Sequence, residues 1–145
     1  MRLVLVSCTK TKRDQPAPAA DLYDPSDYFR KQRAFAQADG DEWGILSAEH
    51  GFVRPDTVLE PYETFIGDVD AEEWAETVAD QLGGVLSRND EVVITAGKAY
   101  ADPLVPELEY RFGVDVLEPF RGLQIGKRKA EMARRTTELQ HGVIA

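Results

Sequence analysis

Short hydrophobic runs and helical stripes alternate along this chain almost from end to end. Arg2-Leu3-Val4-Leu5-Val6 is a β-branched and leucine run that opens straight into Ser7-Cys8-Thr9-Lys10-Thr11-Lys12, a pattern that predicts a buried strand and then a loop. Pro16 and Pro18 are expected to keep the segment to Asp21 extended and irregular. Ser26 can cap a helix over 27–39, with Phe29, Phe35, Ala36 and Ala38 among its buried positions and Gly40 as its stop. Trp43 to Ala48 reads as a second strand, ended by Glu49-His50-Gly51, where the chain must turn. From Phe52 to Asp68 there is no sustained period, and Pro55, Pro61 and Gly67 mark a long loop. Asp70-Ala71-Glu72-Glu73 resembles a capping box and starts a helix with Trp74, Val78, Leu82 and Leu86 on one face. Glu91 to Thr95 is the clearest strand. A helix over 103–112, a short strand over 114–117 and a basic helix over 127–139 complete the series.

Strand and helix in alternation predict an α/β fold: a single three-layer domain over 1–145, with a mostly parallel sheet of about four strands and helices on both faces. No internal repeat, low-complexity segment or domain boundary interrupts it. Composition agrees, since 145 residues with 43% hydrophobic and 30% charged content suit one folded domain with its own core. The one cysteine, Cys8, rules out an intramolecular disulfide and fits a reducing cytoplasm. No run approaches the roughly 18 apolar residues of a membrane span, and Met1 to Val6 is too short for a signal segment. The net charge of −9 argues against coating nucleic acid by bulk electrostatics. An acidic surface with more Arg than Lys suggests a salt-adapted source.

Candidate chemistry concentrates where the strands end. In a parallel sheet the loops leaving the carboxyl ends share one edge, and ligands bind there. Those loops are expected over 7–12, 47–52, 95–100 and 119–129. They hold Lys10, Lys12, Lys98, Arg121, Lys127, Arg128 and Lys129, seven of the 17 basic residues of an acidic chain. A cationic edge on a negative body points to a discrete anionic ligand, most simply a phosphate. Ser7, Ser47 and Gly97 belong to the same loops, and Gly122 and Gly126 flank the last helix, whose N–H groups favour an anion. For Lys127 to Lys129 an ordinary solvated helix face is an equal explanation. Tyr23 and Tyr62, in Pro-rich loops, are placed to stack on a base or ribose, or to pin those loops. Glu49 and His50 form an adjacent carboxylate–imidazole pair, and Cys8 is a candidate nucleophile with His50 as its base. Cys8 also fits a small core position. No His or Cys spacing resembles a metal site, and neither a P-loop nor a GxGxxG fingerprint is present, so no metal or cofactor is expected.

Ser7-Cys8-Thr9-Lys10-Thr11-Lys12, Leu22-Tyr23, Ser26 to Phe29, Leu46 to Gly51 and Leu59-Glu60-Pro61-Tyr62 together resemble an uncharacterised bacterial, archaeal and phage domain family with the pattern SCxKxK…LYxSxxF…LSAxHGxxxPxxxLxPY. The resemblance covers the first half of the chain, and Gly122 to Gly126 adds a weaker C-terminal signature. More distantly the opening strand and loop are similar to YaaA-type DNA-binding peroxide-stress proteins and to a uracil-DNA-glycosylase-like domain. These likenesses imply an α/β domain that handles nucleic acid or a nucleotide and assign no reaction.

Three functions follow as expectations. One is a nucleotide-directed enzyme that cleaves or exchanges an N-glycosidic bond. In it Lys10, Lys12 and Arg121 hold phosphate, and Glu49 or His50 activates water or stabilises an oxocarbenium-like centre. Another is a DNA- or RNA-binding module without catalysis. The third is a small-molecule sensor or accessory domain of a defence or modification system, with a bound ligand or a homodimer contact near Gly51 and Gly122 as its mark.

Overall fold

A computed structural model describes residues 1–142. Strand β1 (Arg2–Ser7) lies at the centre of a five-stranded sheet. The helix after it, α2 (Asp27–Asp39), returns the chain to β3 (Glu42–Ser47), which pairs parallel to β1 with Val4 opposite Trp43. Helix α3 (Ala71–Gln81) then carries the chain back across the sheet to β6 (Glu91–Ile94), parallel to β1 on its other side. Helix α4 (Lys98–Phe112) leads to β7 (Asp115–Leu117), parallel to β6, and α5 (Ile125–Gln140) closes the fold. β4 (Gly51–Val53) completes the order β4-β3-β1-β6-β7 as the antiparallel edge. The three residues between β3 and β4 allow a hairpin and nothing else, because a parallel return needs a dozen or more.

Side chains alternate across β1 and sort the core into two halves. Val4 and Val6 face Phe29, Phe35, Phe120 and Met132, between the sheet and the packed pair α2 and α5. Leu3 and Leu5 face Trp74, Val78, Leu82, Leu104 and Leu108, beneath α3 and α4. This is the expected three-layer α/β domain with helices on both faces. Among the described residues no helix is long and apolar enough to cross a membrane.

Caps set the helix limits as anticipated. Ser26 Oγ accepts from Phe29 N, and Asp70 Oδ1 accepts from Glu73 N. Other local expectations change. The segment with Pro16 and Pro18 forms β2 (Ala17–Pro18) and one turn, α1 (Ala19–Leu22), and β2 pairs antiparallel with β5 (Val58–Leu59). The loop over 52–68 is therefore partly ordered by strand pairing and ties the two Pro-rich segments together. Ala38 is half-exposed, and the buried face of α2 includes Gln32 instead. Helix α4 starts at Lys98, five residues before Pro103, so Pro103 and Pro106 both lie within it.

Candidate functional site

The winding of the chain fixes where a crevice opens. From β1 the chain leaves toward one face, into α2, and from its neighbour β6 toward the other, into α4. Loops that diverge in this way leave a cleft outside the carboxyl ends of the two strands. A cavity of about 680 Å³ occupies this place. Ser7 lies at its β1 side, Ala96 to Tyr100 follow β6, Glu118 and Arg121 to Ile125 follow β7, and Tyr28 and Arg128 enter from the helices.

Two helices begin at this cavity. α4 starts after Gly97 and α5 after Gln124, neither with a side-chain cap and neither with an acidic residue in its first turn. Their first N–H groups have no intrahelical acceptor, and the aligned peptide dipoles make these ends electropositive. Lys98 and Arg121 are at the rim. Arg121 is held by Asp102 and Glu118, each at 2.8 Å, so much of its charge is already answered. Gly122, at φ +84°, makes the turn that brings Leu123 and Gln124 to the wall.

The floor is polar and fully bonded. Gln32, wholly buried on α2, accepts from Ser7 N at 3.0 Å and from Thr95 Oγ1 at 2.7 Å, and donates to Ser7 Oγ at 3.2 Å. Arg128 is also buried. Its guanidinium donates to the carbonyls of Phe120, Thr95 and Ala96 at 2.6–3.0 Å and to Tyr28 Oη at 2.9 Å. Of the two places expected for Arg128, this excludes the solvated helix face. Arg128 is a structural brace for the loop ends, while Lys129 pairs with Asp27 at 3.3 Å.

A second group of side chains lies on the β3 side of β1. Tyr62 Oη sits 2.7 Å from Ser47 Oγ and 2.6 Å from Tyr23 Oη, and Ser47 Oγ also accepts from His50 N at 3.1 Å. Lys12 Nζ lies over the Tyr62 ring, 4.5 Å from its centroid, and 5.8 Å from that of Tyr23. Burial lowers the Lys12 amine from its usual range and raises the Tyr23 and Tyr62 phenols well above theirs. Cys8 is buried, its Sγ 3.2 Å from Tyr100 Oη. Burial also raises the Tyr100 phenol, with nearby Cys8 adding to the effect. Since Tyr100 lines the cavity, the Cys8–Tyr100 contact is the partition between the two groups.

Glu49 and His50 occupy the tip of the β3–β4 hairpin. Gly51 makes this turn at φ +75°, with Gln81 donating to His50 O at 2.9 Å and accepting from Phe52 N at 2.7 Å. The carboxylate and imidazole are 3.5 Å apart and both about 40% exposed. His50 packs edge-on against Tyr62 at 5.2 Å and lines a shallow hollow with Phe52 and Arg54.

The sequence-derived candidates therefore share one edge of the sheet but divide between sites. Ser7, Gly97, Lys98, Arg121 and Gly122 line the cavity. Lys10, Lys12 and Tyr62 line a separate hollow of about 410 Å³ with Arg13 and Glu63. Cys8, Tyr23 and Ser47 are buried beneath the edge. Glu49 and His50 line neither, and Gly126 is exposed in the first turn of α5. Tyr28, Tyr100 and Leu123 are cavity residues that sequence reasoning did not single out. Tyr28 had a signal, because it precedes Gln32 by one helical turn and so shares its face. Among the described residues no group of three or more His, Cys, Asp or Glu side chains is arranged to hold a metal ion.

No curated protein and no solved structure matches the chain. Residues 3–134, which take in both groups of side chains, match DUF6884, described as a family of unknown function, and the chain belongs to that family.

Proposed function

We propose that the protein binds a phosphate-bearing ligand, a nucleotide or a piece of nucleic acid, in the crevice beyond β1, β6 and β7. The observation that carries this reading is the meeting, at one cavity of nucleotide size, of two long helices whose N-termini lack both side-chain caps and first-turn carboxylates. A phosphate there accepts from backbone N–H groups, with Lys98 adding charge at the rim. Tyr28 and Tyr100 offer flat apolar walls to a base. The distant likeness to YaaA-type and glycosylase-like domains favours the same ligand class, and a cytoplasmic setting fits it.

Binding is supported further than N-glycosidic catalysis. The acid–base pair Glu49–His50 is at the hairpin tip, outside the cavity, and the one carboxylate among the described residues that lines the cavity, Glu118, is tied to Arg121. The test uses Ala99→Asp, in the first turn of α4. An acidic side chain there stabilises the helix by about 0.3–1 kcal/mol while repelling an anion from the same N–H groups. Isothermal titration should show AMP binding to the parent protein more tightly than inorganic phosphate. Ala99→Asp should lose at least tenfold in AMP affinity with its melting temperature unchanged or raised. A parent protein that binds neither compound at low salt sinks the reading.

A further inference from the structure

The distribution of unneutralised positive charge goes further than the cavity. Of the six lysines, Lys31 and Lys129 are ion-paired, both to Asp27. The other four, Lys10, Lys12, Lys98 and Lys127, have no carboxylate at ion-pair distance among the described residues, in a chain of net charge −9. Arg54 and Arg88 are likewise unpaired there but follow β4 and precede β6, outside the carboxyl-edge loops. All four lysines lie on loops or helix starts at the carboxyl edge. Their order follows the strands: Lys10 and Lys12 after β1, Lys98 after the adjacent β6, and Lys127 after β7.

Two of the hollows beside these lysines adjoin, and the third shares no lining residue with them. Lys127 lines a concavity of about 510 Å³ that shares Arg121 and Leu123 with the central cavity of Lys98. On the other side, Tyr100 and Cys8 separate the central cavity from the hollow of Lys10, Lys12 and Tyr62. Carboxylates are not absent from this path. Glu63 lines the Lys10–Lys12 hollow, and both Glu63 and Glu49 act on Lys12, though neither comes within ion-pair distance. Glu118 and Glu131 line the other two hollows, paired to Arg121 and Arg134. The remaining acidic surface repels a polyanion from the rest of the molecule, which confines it to this strip.

We infer that the ligand is a single-stranded oligonucleotide laid across the edge, with one phosphate at the helix N-termini of the cavity and flanking phosphates at Lys10–Lys12 and at Lys127. This deepens, and rests on, the cavity reading given above. A mononucleotide fills the central cavity and leaves three of the four lysines unused. Tyr28, Tyr100 and Tyr62 are spread along the same strip, and stacking on them needs unpaired bases. A duplex needs a broad basic face, which this molecule lacks.

Fluorescence anisotropy with labelled hexathymidylate and hexauridylate, between about 50 and 300 mM salt, tests the inference beside an AMP titration. At low salt each hexanucleotide should bind at least tenfold more tightly than AMP. With four lysines engaged, log Kd against log salt should have a slope of about 2.8. Lys10→Gln/Lys12→Gln should lower that slope to about 1.4 and leave AMP affinity unchanged, and Lys127→Gln alone should lower it by about 0.7. Circular dichroism checks that the variants stay folded. AMP binding with hexanucleotides no tighter, or slopes indifferent to these lysines, overturns the inference while the cavity reading stands. A duplex bound as tightly as the single strands also overturns it. Failure of AMP and both hexanucleotides to bind overturns both. The two oligomers distinguish DNA from RNA.

Discussion

Gln32 shows how one side chain can set the cavity floor. Its amide joins α2 to the ends of β1 and β6 through Ser7 and Thr95, and every buried side-chain polar atom of the described residues has a partner. Gln32→Leu keeps the volume but strips the partner from Ser7 N–H and leaves the Thr95 hydroxyl only its longer bond to Leu5 O, at 3.4 Å. One buried group left unbonded and a second weakened cost about 1–3 kcal/mol. Urea denaturation should show the midpoint falling accordingly, and an unchanged midpoint would mean that the lock contributes nothing net. The sequence held a signal for this residue, since a glutamine stands among Phe29, Phe35 and Ala36 in the apolar stripe of α2. Periodicity alone reads such a polar position as an interruption, because it says nothing of what the side chain meets across the sheet. Cys8 shows the same limit. Its place after a strand suits both a core residue and a nucleophile, and only the three-dimensional neighbours show its burial and its contact with Tyr100.

At the level of elements, strands and helices with strong periods and caps were legible: β1, β3, β6 and α2 lie within a residue or two of their expected bounds, and α3 starts where expected but ends at Gln81, short of Leu86. Elements ruled by long-range pairing were not. β2 and β5 are two residues each and exist because the two Pro-rich loops pair with one another. The start of α4 was obscured because a proline inside a helix normally costs about 3 kcal/mol and so reads as a boundary. Burial of Ala101, Leu104 and Leu108 against the α3 side of the core holds the helix through Pro103 and Pro106. α5 depends on Arg128 in a way that its basic sequence conceals. Arg128→Met leaves the Ala96 carbonyl without its donor, and the Thr95 and Phe120 carbonyls with only the longer bonds from Tyr28 Oη, at 3.4 Å, and from Leu123 N, at 3.3 Å. It should destabilise the protein by about 2 kcal/mol. Arg128→Lys should recover only part of this, because an ammonium lacks the planar fork. Lys127→Gln, one residue away and exposed, should change stability by less than about 0.5 kcal/mol. Equal melting temperatures for the Arg128→Met and Lys127→Gln proteins would refute the brace.

Across the whole molecule, the four carboxyl-edge loops do share one edge but not one pocket. The reason is topological: the crevice opens between β1 and β6, whereas Glu49 and His50 ride on the β3–β4 hairpin at the other side of β1. Between these two places Tyr23, Tyr62 and Tyr100 carry phenols that burial pushes above their ordinary value of 10.0. This gives stability a sign with pH. Above pH 10 the unfolded chain releases these three protons and the folded chain retains them, so the unfolded state binds fewer protons and stability falls as pH rises. Below pH 10 both states keep the protons and these groups add no pH dependence. Tyr62→Phe removes one of the three titrations, together with the bonds to Ser47 and Tyr23. It should therefore weaken the protein at pH 7 by about 1–2 kcal/mol. Between pH 10 and 11.5 its stability should decline less steeply than the parent's, in which Tyr28 contributes a fourth raised phenol, as read from urea midpoints at closely spaced pH values. Parallel declines for the two proteins would mean that the Tyr62 phenol ionises as readily in the fold as in the open chain.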